Sequence, residues 1–453
     1  MAAERIKMKT GFARVCITPP MGVSISGYYE PRKVKGVLDD LYLSAVAFDD
    51  GKRKALIVAA DVLMLSYAQC NEYKAAISAA TDVCRDAIFI NCSHTHTGPY
   101  LNGERFGEEE VCPEYVSEFE RKLVAVCKDA FVDMRESSTS VGVGYAKGIS
   151  FVRRFRMKTG GAATNPGIDN PEVAEALGVP NEEVKLLRID RAGGEGIVIV
   201  SFGTHADTVG GELVSADWPG FVRSTLEGAL EGVKCVFLTA CQGDVNHINP
   251  RPTERDRRGL DYDTFDGVPR GYEHAKHMGR TVAAAVLSEY GKARPIRTDK
   301  ISFDTLEIAI PANSENGRYK EALEIKRLHA EGRDNELPYE KMELTTAVAE
   351  AYRIVELYDG PGEFRFVLSG LCIGEAVFLG IPGECFVDIG RRIEAESSFD
   401  TTLVCCLTNG GETYFPTSSA YDEGGYEARS SRLKKGGDGI VVENTVALCR
   451  RLK

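Results

Sequence analysis

The sequence predicts an α/β fold in which mixed β-sheets are layered with helices. Short apolar runs rich in β-branched residues, such as LYLSAVAF, KALIVAADVLML and EGIVIVSF, are typical of buried strands. Stretches with helical spacing of apolar residues alternate with these runs. The chain has 453 residues, of which 43% are hydrophobic, and this is enough to build a large core. We therefore expect residues 1–453 to form a single large domain.

The order of these patterns along the chain is continuous. Strand-like runs occupy residues 11–66, and helical spacing follows at 68–83 and 113–134. Residues 155–185 are rich in Gly, Pro and Asn and predict a long surface loop that could border a pocket. Two later helices, around FVRSTLEGALEG and YEHAKHMGRTVAAAVLSEY, flank another strand. Residues 315–358 are charged and predict two solvated helices, to which we assign no chemistry.

Charge and composition limit the classes of partner. The net charge of −12 argues against nucleic acid and against stable membrane association, because both need clustered Lys and Arg. A small-molecule substrate is expected, and a charged one would be cationic. No apolar run reaches 18 residues, and the start MAAERIKMKTGFARV lacks a signal-type core, so we expect a cytoplasmic protein. The 13 cysteines include no CxxC pair and predict buried reduced thiols.

Polar side chains follow several apolar runs at the point where each run ends. His94 and His96 come shortly after the run AIFIN. Alternation along a strand would place two such residues on one face. Two imidazoles held together suit a metal, with one as ligand and the other beside a bound water or substrate. Taken alone, such a pair more often caps a strand and binds solvent.

Three more residues of this kind come from distant parts of the chain. EGIVIVSFGTH ends in His205, VKCVFLTACQGD in Asp244, and EAVFLGIPGE in Glu384. Sites in α/β domains are built where strands end, so these groups could converge with the histidines. Individually, Asp244 could be a helix cap and Glu384 a surface carboxylate. Together they favour a hydrolytic site.

Other catalytic signatures are absent from the sequence. It contains no HExxH, no GxSxG and no P-loop, and GVGYAKG lacks dinucleotide-binding spacing. His274 and His277 lie three apart on an expected helix and could share a metal, but a solvated helix face is the simpler interpretation. We interpret His247 and His329 in the same way, and Cys241 lacks an activating base.

Six ordered blocks carry a family resemblance that covers essentially the whole chain. The blocks are GFARVCITPPMGVSISGYY, NCSHTHTGP, FGTHADTVGGELVSADWPG, CQGDVNHINP, IPGECFVDIG and TYFPTSSAYDEGGYE. In order and spacing they resemble the catalytic domain of the neutral/alkaline (non-lysosomal) ceramidase family. The resemblance implies a ceramidase-like catalytic domain in a short, non-secreted form without the family's C-terminal β-sandwich.

The resemblance also implies a zinc-dependent hydrolase. Zinc in such a site lowers the pKa of a bound water to about 7 and polarises the substrate carbonyl. His96 would face the bound water or the developing oxyanion, and Tyr426 matches another tyrosine that lines the family site. The metal ligands implied by the resemblance are His94, His205, Glu384 and Tyr414.

The remaining site candidates concern the substrate. Arg153, in the run SFVRRFRMK beside the expected loop, is a candidate substrate-binding residue. Asp244 and Asn246 join His96 and Tyr426 as catalytic candidates. Ceramidases carry a required serine where this chain has Asn246, and an amide cannot replace a hydroxyl.

Three hypotheses about function remain open. The first is a zinc hydrolase that uses metal-activated water on a small soluble amide, ester, lactone or sugar conjugate. The second is a true ceramidase or another N-acyl lipid amidohydrolase. The third is a catalytically silent relative that binds a metal or ligand. A long apolar tunnel would favour a lipid substrate, whereas a short polar cavity with an arginine would favour a small polar one.

Overall fold

The computed structural model describes residues 8–101, 110–257, 271–314, 317–339, 341–411 and 413–453. Strands and helices alternate throughout, as the apolar runs predict. The strands of the first half are β1 Lys9–Cys16, β2 Ser24–Ile25, β3 Arg32–Lys33, β4 Gly36–Val37, β5 Tyr42–Asp49, β6 Lys54–Ala60, β7 Ile88–Cys92, β8 Arg135–Tyr145, β9 Phe151–Val152, β10 Arg154–Met157, β11 Ala162–Thr164, β12 Val173–Ala176, β13 Glu183–Arg191, β14 Gly196–Phe202 and β15 Leu213–Val214. Those of the second half are β16 Val233–Thr239, β17 Val245–Asn246, β18 Arg294–Ile296, β19 Ile301–Pro311, β20 Glu363–Ile373, β21 Ala376–Gly380, β22 Glu384–Cys385, β23 Thr401–Cys405 and β24 Tyr414–Phe415.

The helices lie between these strands. They are α1 Tyr67–Thr81, α2 Pro113–Val132, α3 Asp217–Ala229, α4 Glu254–Arg257, α5 Tyr272–Tyr290, α6 Tyr319–Ala330, α7 Lys341–Asp359, α8 Val387–Ala395, α9 Ser418–Glu423, α10 Tyr426–Ser430 and α11 Gly437–Leu452. Helix α2 packs against β1 and β5, α5 against β8 and β13, and α11 against β19 and β20. The architecture is therefore an α/β arrangement of mixed sheets layered with helices, as predicted.

One large mixed sheet organises the first half of the chain. Its strand order is β16-β14-β13-β8-β1-β5-β6-β7, with β18 also paired to β8. The pairs at the two ends, β14 with β16 and β6 with β7, are parallel, and the pairs between them are antiparallel. Strands β14 and β16 are buried almost throughout, which explains their continuous apolar runs.

A second sheet, of order β19-β20-β21-β23, brings the strand ends together. Its core is continuous with that of the large sheet, and the rings of Phe89 on β7 and Phe378 on β21 lie 6.2 Å apart. The buried side chain of Asn91 joins three strand ends. Its Oδ1 accepts from the Thr239 amide at 2.8 Å, and its Nδ2 donates to the Cys406 carbonyl at 2.7 Å. The loops that follow β7, β16 and β23 consequently leave the sheets at one place.

Two segments follow the sequence-based expectations to different degrees. The expected loop over residues 155–185 is wrong in part, because β10 pairs with β11 and β12 in a small three-stranded sheet. Backbone hydrogen bonds between strands form in this segment although its composition is dominated by Gly, Pro and Asn. Residues 315–358 form the expected pair of helices in their described part. Helices α6 and α7 bury a small apolar core of their own, which includes Ile325 and Val348.

Helix α3 and helix α5 meet at a glycine. A Cβ atom on Gly279 would lie 2.4 Å from the Phe221 Cβ and 2.5 Å from the Trp218 carbonyl oxygen. Only a glycine allows the two helices to approach this closely. Trp218, at the start of α3, is fully buried and donates its indole N–H to the His205 carbonyl at 3.0 Å. No helix in the described ranges is long and apolar enough to cross a membrane.

Candidate metal centre

Three histidines converge where β7 and β14 end. The ring centroids of His94 and His96 are 4.9 Å apart, and those of His94 and His205 are 5.0 Å apart. Strand alternation is the wrong reason for the first pair, since β7 ends at Cys92 and both residues lie in the following loop. His94 adopts a left-handed backbone conformation with φ of 67°, which is uncommon for a residue with a side chain. This turn directs its ring toward His205.

A short parallel strand pair delivers the two remaining family-implied ligands. Strand β22 pairs with β24 in a register that places Glu384 beside Tyr414. The Glu384 Oε2 atom lies 3.3 Å from His94 Nε2 and 3.1 Å from His205 Nε2. The Tyr414 hydroxyl lies 3.4 Å from the same His205 nitrogen. The four residues His94, His205, Glu384 and Tyr414 therefore present their polar atoms to one point.

The donor set fits a metal ion. One ligand atom from each of His94, His96 and His205 lies within 4.8 Å of the others. The Nε2 atom of His94 and both ring nitrogens of His96 are buried without a hydrogen-bond partner. Buried polar atoms are normally satisfied, so this group of orphaned nitrogens points to a missing partner. Two imidazoles, a carboxylate and a phenol oxygen form a donor set that suits zinc.

Backbone carbonyls orient the imidazoles of His94 and His205. The Nδ1 atom of His94 lies 2.9 Å from the Leu63 carbonyl, and that of His205 lies 2.9 Å from the Gln242 carbonyl. If Nδ1 carries the proton, Nε2 keeps the lone pair of electrons that a metal ligand needs. The surrounding backbone therefore selects the tautomer that metal binding requires.

Burial and mutual attraction set the charges of the centre. Burial alone would raise the pKa of Glu384, but His94 and His205 hold that pKa well below its usual range. Burial, helped by the neighbouring His94, lowers the pKa of His96 well below its usual range. Burial also raises the pKa of Tyr414 well above normal, and Glu384 adds to this shift. The expected state at neutral pH is thus an ionised Glu384 beside a neutral His96.

Arg153 lies beside Tyr414 and is held by a buried ion pair. Its Nε donates to Glu427 Oε1 at 2.6 Å, and its Nη2 donates to the Gly243 carbonyl at 2.8 Å and to the Tyr414 hydroxyl at 3.2 Å. Glu427 is fully buried and also accepts from Thr164 at 2.8 Å. The guanidinium is therefore oriented before any substrate arrives, and its positive charge opposes the rise in the pKa of Tyr414.

Tyr426 forms the far wall of the centre. Its ring centroid lies 5.9 Å from that of Tyr414, and its hydroxyl lies 3.0 Å from the hydroxyl of Tyr29. Tyr29 belongs to the first sequence block. The structure therefore brings the first and the last of the six blocks together.

Asp244 and Asn246 are close to the centre but are engaged elsewhere. The Asp244 Oδ1 atom accepts from the Val387 amide at 2.8 Å, at the start of α8. Burial raises the pKa of Asp244 to about 6. Asn246 donates to Asn165 Oδ1 at 3.2 Å and accepts from the Ile248 amide at 3.0 Å. Their catalytic roles stay predictions.

Sequence reasoning missed a second layer of polar groups. His247 Nδ1 lies 3.0 Å from Asp207 Oδ1, and His247 is itself buried. His274 is also buried, with its ring 5.6 Å from that of His247 and 6.1 Å from that of the exposed His277. The solvated helix face is therefore the wrong interpretation for His274 and His247, and it holds for His277. Nothing in the local sequence pairs Asp207 with His247, because they come from different loops.

No protein-family model and no curated protein sequence matches this chain. Two solved structures are similar along almost its full length. The neutral ceramidase from Pseudomonas aeruginosa aligns with a TM-score of 0.72 and 18% identity, over 99% of this chain and 75% of that one. A ceramidase complexed with C2 aligns with a TM-score of 0.69 and 16% identity, over 99% and 76%. The chain thus has a neutral ceramidase-like fold, as its six sequence blocks predict.

Proposed function

We propose that this protein is a zinc-dependent hydrolase that uses metal-activated water on a small soluble substrate such as an amide, ester, lactone or sugar conjugate. The observation that carries the proposal is the set of orphaned imidazole nitrogens of His94 and His96 beside the Glu384 carboxylate. The ceramidase names of the two similar structures support a hydrolase rather than a silent binding protein.

Four residues would hold the metal. His94, His205 and Glu384 supply two nitrogens and a carboxylate oxygen, and Tyr414 supplies its phenol oxygen. A zinc ion bound there would lower the pKa of a bound water to about 7 and polarise a substrate carbonyl. Arg153, which donates to the Tyr414 hydroxyl, favours negative charge on that oxygen and so supports its role as a ligand.

His96 and Tyr426 would act on the reacting atoms. A His96 kept neutral by burial can donate a hydrogen bond from one ring nitrogen to the developing oxyanion and accept one from a water at the other. The Tyr426 hydroxyl, protonated because burial raises its pKa, can donate to the oxyanion. Loss of either donor should cost on the order of 100-fold in rate.

A true ceramidase or another N-acyl lipid amidohydrolase is the second candidate. The similarity of fold to two ceramidases favours it. Asn246 argues against this candidate, because it stands where ceramidases require a serine hydroxyl. Its amide nitrogen and its amide oxygen are both hydrogen-bonded to other protein groups.

Metal dependence measured against a matched histidine control tests the proposal. The protein is assayed on nitrophenyl esters and nitroanilides before and after chelation, and again after one equivalent of zinc. We expect chelation to lower activity by at least roughly 100-fold and zinc to restore it. His205→Ala should not be restored, whereas His277→Ala, an exposed histidine outside the centre, should behave as wild type. Activity that survives chelation, or an acyl adduct on a serine or cysteine in the intact mass, would contradict the proposal.

A further inference from the structure

A cavity of about 310 Å³ lies between α7 and the segment that contains α10. Arg353 and Leu357 of α7 line one side of it, and Gly424, Ala428 and Arg429 line the other. Its volume is near the lower end for small-molecule sites, so it would admit one compact group.

The charged groups of the cavity are unbalanced. Three guanidiniums, those of Arg318, Arg353 and Arg429, face it together with a single carboxylate, that of Glu350. Glu350 is already engaged, because Arg429 Nε donates to its Oε1 at 2.8 Å and Arg318 Nη1 lies 2.8 Å from the same oxygen. Arg318 also donates to Glu321 from Nε and Nη2 at 2.9 Å, so these ion pairs leave one positive charge over at the cavity, although the chain as a whole carries a net charge of −12.

Of the three arginines, Arg353 is the one without a carboxylate partner among the described residues. Its hydrogen bond is a 3.3 Å contact from Nη1 to the backbone carbonyl of Arg429. Within the described ranges no carboxylate lies within ion-pair distance of its guanidinium, which is half-buried. A planar guanidinium with most of its donors unused at the wall of a cavity is suited to bind an oxyanion bidentately.

The cavity adjoins the candidate metal centre through Tyr426. Gly424 and Ala428, which line the cavity, lie two residues on either side of Tyr426. Tyr426 begins α10, which also carries the cavity-lining Ala428 and Arg429, and its ring centroid lies 5.9 Å from that of Tyr414. One short helix therefore contributes residues to the cavity and to the wall of the candidate metal centre.

We propose that this cavity is an oxyanion subsite, in which Arg353 binds a carboxylate or phosphate group of the substrate while the scissile bond lies at the candidate metal centre. The inference rests on the proposed function and narrows its substrate class to compact anionic conjugates. It also reverses, for this one site, the expectation from net charge that a charged partner would be cationic.

Calorimetry with a matched pair of probes tests the subsite. The probes are N-benzoylglycine and N-benzoylglycinamide, which differ in having a carboxylate or a neutral amide, and inorganic phosphate is added as a competitor. Each is titrated into the zinc-loaded full chain and into the chelated chain, because a carboxylate could otherwise bind the metal itself. We expect both forms to bind the acid at least roughly tenfold more tightly than the amide, since a charge-assisted hydrogen bond is the difference.

Three variants locate the effect. Arg353→Ala should remove the preference for the acid, Arg353→Lys should keep part of it, and Arg297→Ala, an exposed arginine paired with Glu375, should leave it intact. Equal binding of acid and amide by wild type, no binding of either probe, or an unchanged preference in a folded Arg353→Ala would overturn the inference.

The two proposals can fail separately. A preference for the acid in the chelated chain, without hydrolysis of any substrate in the zinc-loaded one, would support the subsite and contradict the hydrolase. Zinc-dependent hydrolysis without any preference for the acid would support the hydrolase and contradict the subsite.

Discussion

At the residue scale, backbone contacts fix one ring nitrogen of His94 and of His205 and leave the other facing the candidate metal centre. His94 and His205 place Nδ1 against backbone carbonyls and direct Nε2 toward Glu384. A residue-scale consequence is that both rings are committed to a single tautomer before metal binds. The position of His96 is restricted by Gly27, because a Cβ atom at position 27 would lie 2.7 Å from the His96 Cβ.

The buried His274 should make the stability of the fold depend on pH. Burial, helped by His247 and His277, lowers its pKa to about 3, against about 6.5 in an unfolded chain. Its contribution is therefore fully present above pH 6.5 and is lost as pH falls from 6.5 toward 3. The loss is at most about 1.4 kcal/mol per pH unit, or about 2 kcal/mol between pH 6.5 and pH 5.

Urea unfolding at these two pH values checks this expectation. The free energy of unfolding of wild type should fall by about 2 kcal/mol more than that of His274→Gln, which cannot take up the proton. His329→Gln is the control, because His329 lies on α6 and is not among the groups that shift the pKa of His274. Equal pH dependence in wild type and His274→Gln would show that His274 is not buried as described.

The residues that lie at strand ends can be identified from the sequence, but the register in which the strands pair cannot. His94, His205 and Glu384 follow apolar runs, and that pattern alone brought them into one predicted site. Tyr414 lies beside Glu384 only through the pairing of two-residue strands, which are too short to leave any periodicity. Tyr414 and Tyr426 therefore emerged from family resemblance alone, and the Asp207–His247 pair emerged from neither source.

At the element scale, the contact between α3 and α5 supports the loop that carries His205. Trp218 at the start of α3 donates to the His205 carbonyl, and Gly279 of α5 lies directly against the Trp218 backbone. A shift of α5 would therefore be transmitted to the metal-facing loop.

Replacing Gly279 by alanine should separate these helices. The added Cβ would be 2.4 Å from the Phe221 Cβ and 2.5 Å from the Trp218 carbonyl oxygen, and neither atom is the end of a flexible side chain. We expect a loss of about 1–3 kcal/mol in the free energy of unfolding, typical of overpacking, with a fall in metal affinity. Gly228→Ala in α3 is the matched control, because its Cβ would meet nothing within 4 Å and should stabilise the helix by about 0.5–1 kcal/mol. If both variants behave alike, the close helix contact is not real.

At the scale of the whole molecule, proteins that share a fold can act on different substrates. The ceramidase-like architecture is shared with two ceramidases at 18% and 16% identity, and folds host different substrates through changes at the site. The predicted α/β class followed from the alternation of apolar runs with helical spacing. The three-stranded sheet of β10, β11 and β12 did not, since its short strands lie in a segment dominated by turn-forming residues.

The proposed substrate range rests on Asn246 and on the positive charge of Arg353 at the cavity. We expect small soluble substrates to exceed detergent-dispersed ceramide in kcat/KM by at least roughly 100-fold, the usual effect of one positioned polar group in a catalytic site. Asn246→Ser, which restores the hydroxyl of the ceramidase block, should raise ceramide turnover relative to wild type. A wild-type efficiency on ceramide above every soluble candidate would establish the lipid hydrolase instead.

The central claim is that one zinc ion is bound by His94, His205, Glu384 and Tyr414. Anomalous diffraction above and below the zinc absorption edge, on crystals of the zinc-loaded full chain, locates such an ion directly. A single anomalous peak between the two Nε2 atoms and the Glu384 carboxylate, within about 2.0–2.2 Å of each, is the predicted result. The absence of a peak there, or a stronger peak beside His247 and His274, would contradict the account.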